Sequence, residues 1–219
     1  SVNVSLRRDA YQATENKLAY MDRGLRAVQE IPGVEAAAVT LGIGNLDVIM
    51  ESKVSLHAVG SGEERVAETD ILFASEDYRE CYGRNLLRGR DLSSVPSLAT
   101  EEALINESFA AAYFGDADPL GKRIKYDQEN HWLTVVGVIK DRHPLTTSRE
   151  IGPEILLSHR LSHWNKVYQS SLMFLATTKA DANAMAEPIR GALLGIDAAQ
   201  PVNSAVFISE FLERHARPA

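Results

Sequence analysis

Residues 133–139 read Leu-Thr-Val-Val-Gly-Val-Ile, and no other run constrains the fold of this chain as tightly. The residues are apolar and mostly β-branched, and they do not alternate with polar ones. This predicts a strand covered on both faces, not one with a wet side. Such a strand needs neighbours on both edges, and the preceding sequence offers candidates. Ala103, Leu104 and Ile105 form a short apolar run. Asn106 then predicts a helix cap opening Glu107–Phe114, with Phe109, Tyr113 and Phe114 packing that short helix. Asp118-Pro119-Leu120-Gly121 predicts a turn. Ser75 is a second candidate cap, with Glu76 and Asp77 in the first turn, where negative charge meets the positive end of the helix dipole.

Towards the ends the pattern changes to amphipathic helices beside strands. Val2, Val4 and Leu6 alternate with polar residues and predict a strand. Leu18, Met21, Leu25, Val28 and Ile31 recur at helical spacing, and Pro32-Gly33 stops the helix. Residues 34–41 predict a buried strand. Val54, Leu56 and Ala58, the turn Gly60-Ser61-Gly62, and Ala67, Thr69, Ile71 and Phe73 predict a hairpin, with Glu68 and Asp70 on the other face of its second strand. Residues 140–166 predict irregular chain around one strand at 154–157. Residues 172–176 predict a buried strand. Asp181 then caps a helix with Met185, Ile189, Leu193 and Ile196 on its apolar face. A strand over 202–207 and a final helix from Ser209 to Arg214 complete the reading. Strand, helix and strand thus occur both over 2–41 and over 172–207, so the two ends can join into one layered α/β subdomain.

The charge balance, −7 with a pI of about 5.4, disfavours a phosphate backbone as partner, so no nucleic-acid role is expected. Arg84, Arg88 and Arg90 are the densest basic group and read as a solvated turn. The lone cysteine, Cys81, excludes an internal disulfide. Beside Tyr78 and Tyr82, with no histidine placed by motif to activate it, it reads as a buried, inert thiol. No apolar run reaches the length of a membrane span. No heptad or long apolar stripe suggests self-association, so the isolated chain is expected to be a monomer.

Chemistry-bearing constellations are sparse. His159 and His163 have metal-ligand spacing, but no glutamate stands between them as in a zinc hydrolase helix, and they read as polar loop residues. Asp141-Arg142-His143 brings carboxylate and imidazole together without a nucleophile elbow. Asp141 reads as a turn residue bonding nearby backbone N–H groups. Gly42-Ile43-Gly44 lacks the third glycine and following helix of a dinucleotide loop, and Gly121-Lys122 lacks the rest of a phosphate loop. No cofactor, metal or catalytic residue is expected.

Three segments in this order resemble the MacB-type periplasmic core domain of ABC transporter permeases, in the MacB/FtsX superfamily. The matching residues are Ser75, Asp77, Tyr78 and Gly83, then Leu87, Gly89 and Arg90. They continue with Ile105, Asn106, Phe109, Tyr113 and Phe114, then Asp118, Pro119, Leu120, Gly121, Lys122 and Ile124. Val135, Val136, Gly137, Val138 and Asp141 close the set, and Pro153-Glu154-Ile155 is similar to the family's following strand. Glu76 stands where proline is usual and Arg79 where an aromatic is usual, while Leu156-Leu157-Ser158 replaces a tyrosine-proline end. These departures put local surface shape in question, not the fold.

The resemblance implies an α+β fold. A porter-like subdomain would be made of two β-α-β halves from 1–75 and 166–219, with an inserted strand-rich, sabre-like subdomain over 76–165. It also implies an extracytoplasmic domain at the cytoplasmic (inner) membrane, set between membrane helices of a permease and moved by a cytoplasmic ATPase. A periplasmic adaptor protein or lipoprotein would be a further partner. In this reading the motif residues determine shape, the chain catalyses nothing, and its two ends lie close together. A free-standing extracytoplasmic module binding peptide or lipid is the alternative.

Overall fold

The computed structural model describes residues 1–7, 9–41, 50–57, 64–93, 101–126, 131–141, 152–161 and 171–205. The expected final helix, His143, His163, the Gly42-Ile43-Gly44 segment and the Gly60-Ser61-Gly62 turn lie outside these residues.

The two ends of the chain build one layer. Strand β1 (Val2–Ser5), helix α1 (Thr14–Gln29) and strand β2 (Val34–Leu41) form the first half. Strand β10 (Ser171–Thr178), helix α4 (Ala182–Ile196) and strand β11 (Val202–Ala205) form the second. The halves interleave in the order β11-β1-β10-β2, with every neighbour antiparallel. This is the split β-α-β arrangement of ferredoxin-like folds. Interleaving explains why each half needs the other, since β1 and β2 are joined only through β10. Asp181 caps α4 as expected, its Oδ1 accepting from the Asn183 amide at 3.0 Å. Met185, Ile189 and Leu193 are buried, as helical spacing predicts. Gly24 lets α1 lie directly on β10, because a Cβ there would stand 2.5 Å from the Phe174 ring.

The middle of the chain closes a ring of strands. Strands β3 (Met50–His57), β4 (Glu64–Ala74), β6 (Glu101–Asn106), β7 (Arg123–Tyr126), β8 (His131–Ile139) and β9 (Glu154–Ser158) pair in the circuit β4-β3-β7-β8-β6-β9 and back to β4. Closure satisfies both edges of each of these strands. The short strand β5 (Leu86–Gly89) extends the ring beside β8, and helix α3 (Glu107–Phe114) packs against β6, β8 and β9. Helix α2 (Tyr78–Cys81) lies instead over β2 and β10.

Alternation along the strands divides the core in two. Ile71 and Phe73 of β4, Ile105 of β6 and Ile155 of β9 join one buried cluster with α1, α3 and α4. Their neighbours Leu72, Ala74, Leu104 and Leu156 join a second cluster under α2. Both faces are therefore covered, which is why β8 reads as an unbroken apolar run. Asp70, expected on an outer face, is buried, since β9 runs along that part of β4.

Candidate functional site

The family-like segments converge on β8 and β9: α3 packs against both, β5 pairs with β8, and Arg84, just after α2, reaches the Lys140 carbonyl and Glu154. Asn106 is the centre of this corner. Its Oδ1 accepts from the Phe109 amide at 2.9 Å, capping α3, and from the Glu154 amide at 2.8 Å. Its Nδ2 donates to the Gly152 carbonyl at 2.9 Å. One buried side chain thus starts a helix and anchors the entry to β9. Asp141 holds the same helix from the end of β8, accepting from the Ser108 amide at 3.1 Å and its hydroxyl at 2.6 Å. Asp141 does bond backbone N–H, but its partner is a residue of α3, not a local turn.

Two glycines fix how closely β5 approaches β8. Gly89 pairs with Gly137 across the ladder. A Cβ on Gly89 would stand 2.3 Å from the Val136 carbonyl oxygen, and one on Gly137 would stand 2.4 Å from the Arg90 carbonyl oxygen. Gly89 also takes φ of +78°, a region that side chains disfavour. Gly121, with φ of +73°, turns the chain after Pro119 so that its amide donates to the Val135 carbonyl at 2.8 Å. Gly83, at φ of +67°, ends α2.

Charges at this corner are paired. Arg84 belonged to the expected solvated turn, yet its side chain is only 2% exposed and bonds Glu154, 3% exposed, at 2.5 Å. Its Nε donates to the Lys140 carbonyl at 2.9 Å. A carboxylate at the head of a buried strand requires such a cation, so Glu154 was the sequence signal for this pair. Arg79 reaches Asp91 through two nitrogens and donates to the Arg84 carbonyl at 2.9 Å. Arg90 grips Glu102 with both terminal nitrogens and, chiefly through those bonds, lowers the Glu102 pKa. Arg88 and Asp118 pair on the surface at 2.7 Å, and Lys122 follows them in the turn.

Tyr78 and Phe109 are fully buried. Phe109 lies 4.8 Å from Tyr113 and 6.3 Å from Phe114, ring centre to ring centre. Tyr78 stacks on Tyr82 at 5.3 Å. Ser75 does not cap α2. Its Oγ accepts from the Val39 amide at 3.0 Å, because the hydroxyl is turned toward β2. Burial pushes the Cys81 thiol up to about 12, which keeps it protonated at neutral pH. His159 is buried at the end of β9, not in an open loop, and burial followed by the Arg160 charge pulls it down to about 4. Among the described residues no cluster of histidine, cysteine or carboxylates could hold a metal ion. These bonds and close contacts fix α3, β5 and the entry to β9 against β8.

The chain matches the model of the MacB-like periplasmic core domain over residues 2–192. No curated protein matches it. Its fold is similar to that of the periplasmic region of MacB from Actinobacillus actinomycetemcomitans, at a TM-score of 0.61 and 12% identity, covering 97% of this chain and 91% of that one. It is also similar to the extracellular domain of the noncanonic ABC-type transporter YknZ from Gram-positive bacteria, at 0.57 and 13% identity, covering 93% and 98%. A domain of a putative permease protein from Porphyromonas gingivalis matches at 0.52 and 20% identity, covering 82% and 75%. At these identities the structures share the fold, while the family match spans most of the sequence. The chain belongs to the MacB-like periplasmic core domain family.

Proposed function

We propose that this chain is the extracytoplasmic part of an ABC-type transporter permease at the cytoplasmic (inner) membrane. It would pass ATP-driven motion of the permease's membrane helices to a substrate or partner protein and perform no chemistry itself. A cytoplasmic ATPase supplies the motion in this reading, and a periplasmic adaptor protein or lipoprotein receives it. The observation that carries the proposal is the pairing of the terminal strands. Val2 of β1 lies opposite Ala205 of β11, in antiparallel register. The start of one strand and the end of the other are side by side, as two segments bound for one membrane must be. Family membership and the likeness to transporter domains support the same reading. The motif residues Tyr78, Gly83, Gly89, Arg90, Asn106, Phe109, Phe114, Pro119, Gly121, Lys122, Gly137 and Asp141 then serve to hold shape, not to bind a ligand.

The native gene tests the proposal. A run of about eighteen or more apolar residues is expected on each side of this segment. Flanks without such runs on both sides would overturn it.

A further inference from the structure

We propose that the terminal layer and the strand ring are locked into one rigid lever, with Tyr78 as the wedge at the seam and Arg160 as its outer clasp. The chain crosses between the two parts only between β2 and β3 and between β9 and β10. Connectivity alone would therefore permit a hinge, and three sets of contacts oppose one.

The backbone is continuous across the seam. Thr40 of β2 pairs with Ala74 of β4, and the Thr40 hydroxyl donates to the Phe73 carbonyl at 2.9 Å. The Ser75 amide donates to the Val39 carbonyl at 2.8 Å, and its hydroxyl receives the Val39 amide in return.

Both buried clusters also run through the seam. One holds Leu193 and Phe174 of the layer together with Ile155 and Val135 of the ring. The other holds Ala38, Met173 and Leu175 of the layer with Leu72, Ala74 and Leu156 of the ring. Tyr78 belongs to this second cluster, on the short helix that covers β2 and β10, and is fully buried. Rotating the ring against the layer would expose apolar surface on both faces of the sheet at once.

Polar ties close the outside. Arg160, just after β9, bonds both carboxylate oxygens of Asp22 on α1, at 2.6 and 3.2 Å, and stands 3.7 Å from Glu76. Gln29 of α1 donates to Asp77 at 3.3 Å. Asp22 and Gln29 are seven residues apart and so share one face of α1, which is tied at both places. The rigidity stands apart from the permease reading. Its use, carrying motion from β1 and β11 to the far side of the ring, rests on that reading.

Pulsed electron paramagnetic resonance tests the lock. Spin labels go on Glu187→Cys in α4 and Asp116→Cys after α3, both at exposed positions. Cys81, a partly exposed free thiol, is replaced by serine in every protein so that only the two introduced cysteines carry labels. The parent is expected to give a single narrow distance distribution. Tyr78→Phe should keep it, Tyr78→Ala should broaden it or add a second population, and Arg160→Ala should broaden it less. A broad or two-peaked parent overturns the proposal whatever the variants do. So does a folded Tyr78→Ala protein as narrow as the parent. If Tyr78→Ala fails to fold, Arg160→Ala combined with Gln29→Ala decides in its place, and an unchanged width overturns the clasp. A narrow parent from a gene without flanking spans would leave the lock standing and the permease reading fallen.

Discussion

In the terminal layer, α4 buries Met185, Ile189 and Leu193 through nothing more specific than their spacing and apolar character. At the ring corner, Gly89 faces Gly137 with no room for a methyl group, Asn106 fills three hydrogen bonds, and Arg84 is buried against Glu154. The first region follows from a pattern that many sequences satisfy. The second depends on particular atoms, and substitution there should be felt more strongly.

The strongest way to sharpen this contrast is to remove one partner of the buried ion pair. Arg84→Ala should destabilise the protein by about 3–5 kcal/mol, because Glu154 is left buried without its cation. The double variant Arg84→Met with Glu154→Leu should recover most of that loss, and urea midpoints of the three proteins measure it. If the single variant matches the parent, the corner is no more specific than the layer.

Gly89→Ala comes next, at roughly 2–5 kcal/mol, from the left-handed backbone and the overlap with the Val136 carbonyl. Thermal unfolding at fixed pH reads this loss, and an unchanged midpoint would show that β5 can lift off β8 freely.

Acid should expose the buried imidazole. His159 titrates near 4 in the folded chain against an ordinary 6.5, so the unfolded chain binds the proton more readily between those values. Stability is fully present above 6.5 and falls as pH drops toward 4, by up to about 3 kcal/mol. Replacing the residue by His159→Gln should flatten the stability profile in that window, as followed by urea unfolding at several pH values. A variant whose profile keeps the parent's slope would assign the acid sensitivity elsewhere.

The smallest effect belongs to the layer. Ile189→Val should cost only about 1 kcal/mol, since the site loses one methylene and keeps its apolar character. A loss as large as that of Gly89→Ala would erase the distinction between the two regions.

Much of the local structure is legible in the residues. Asn106 before Glu107 announces α3, and Asp181 announces α4. The apolar spacing of α1 and the non-alternating run of β8 also match the elements found. Local rules fail where a polar side chain is taken up by a distant partner. Ser75 looks like a cap but binds β2. Arg84 looks solvated but is drawn inward by Glu154, seventy positions away. Asp141 looks like a turn residue but holds Ser108. Each of these side chains can make a local bond or a distant one, and the sequence nearby does not say which partner folding brings within reach.

The sequence by itself determined most of the helices and strands and where glycine is needed, because these depend on neighbours within a few residues, whereas β5 and β7 carry no legible pattern and arise through their pairing with β8. It also carried the family likeness. Only the tertiary structure decided that the two ends interleave as β11-β1-β10-β2, that six middle strands close on themselves, and that Tyr78 and Arg160 sit where the two parts meet. Strand pairing is settled by which edges and apolar faces find one another in space, and a strand's own residues specify a face without naming the partner that covers it.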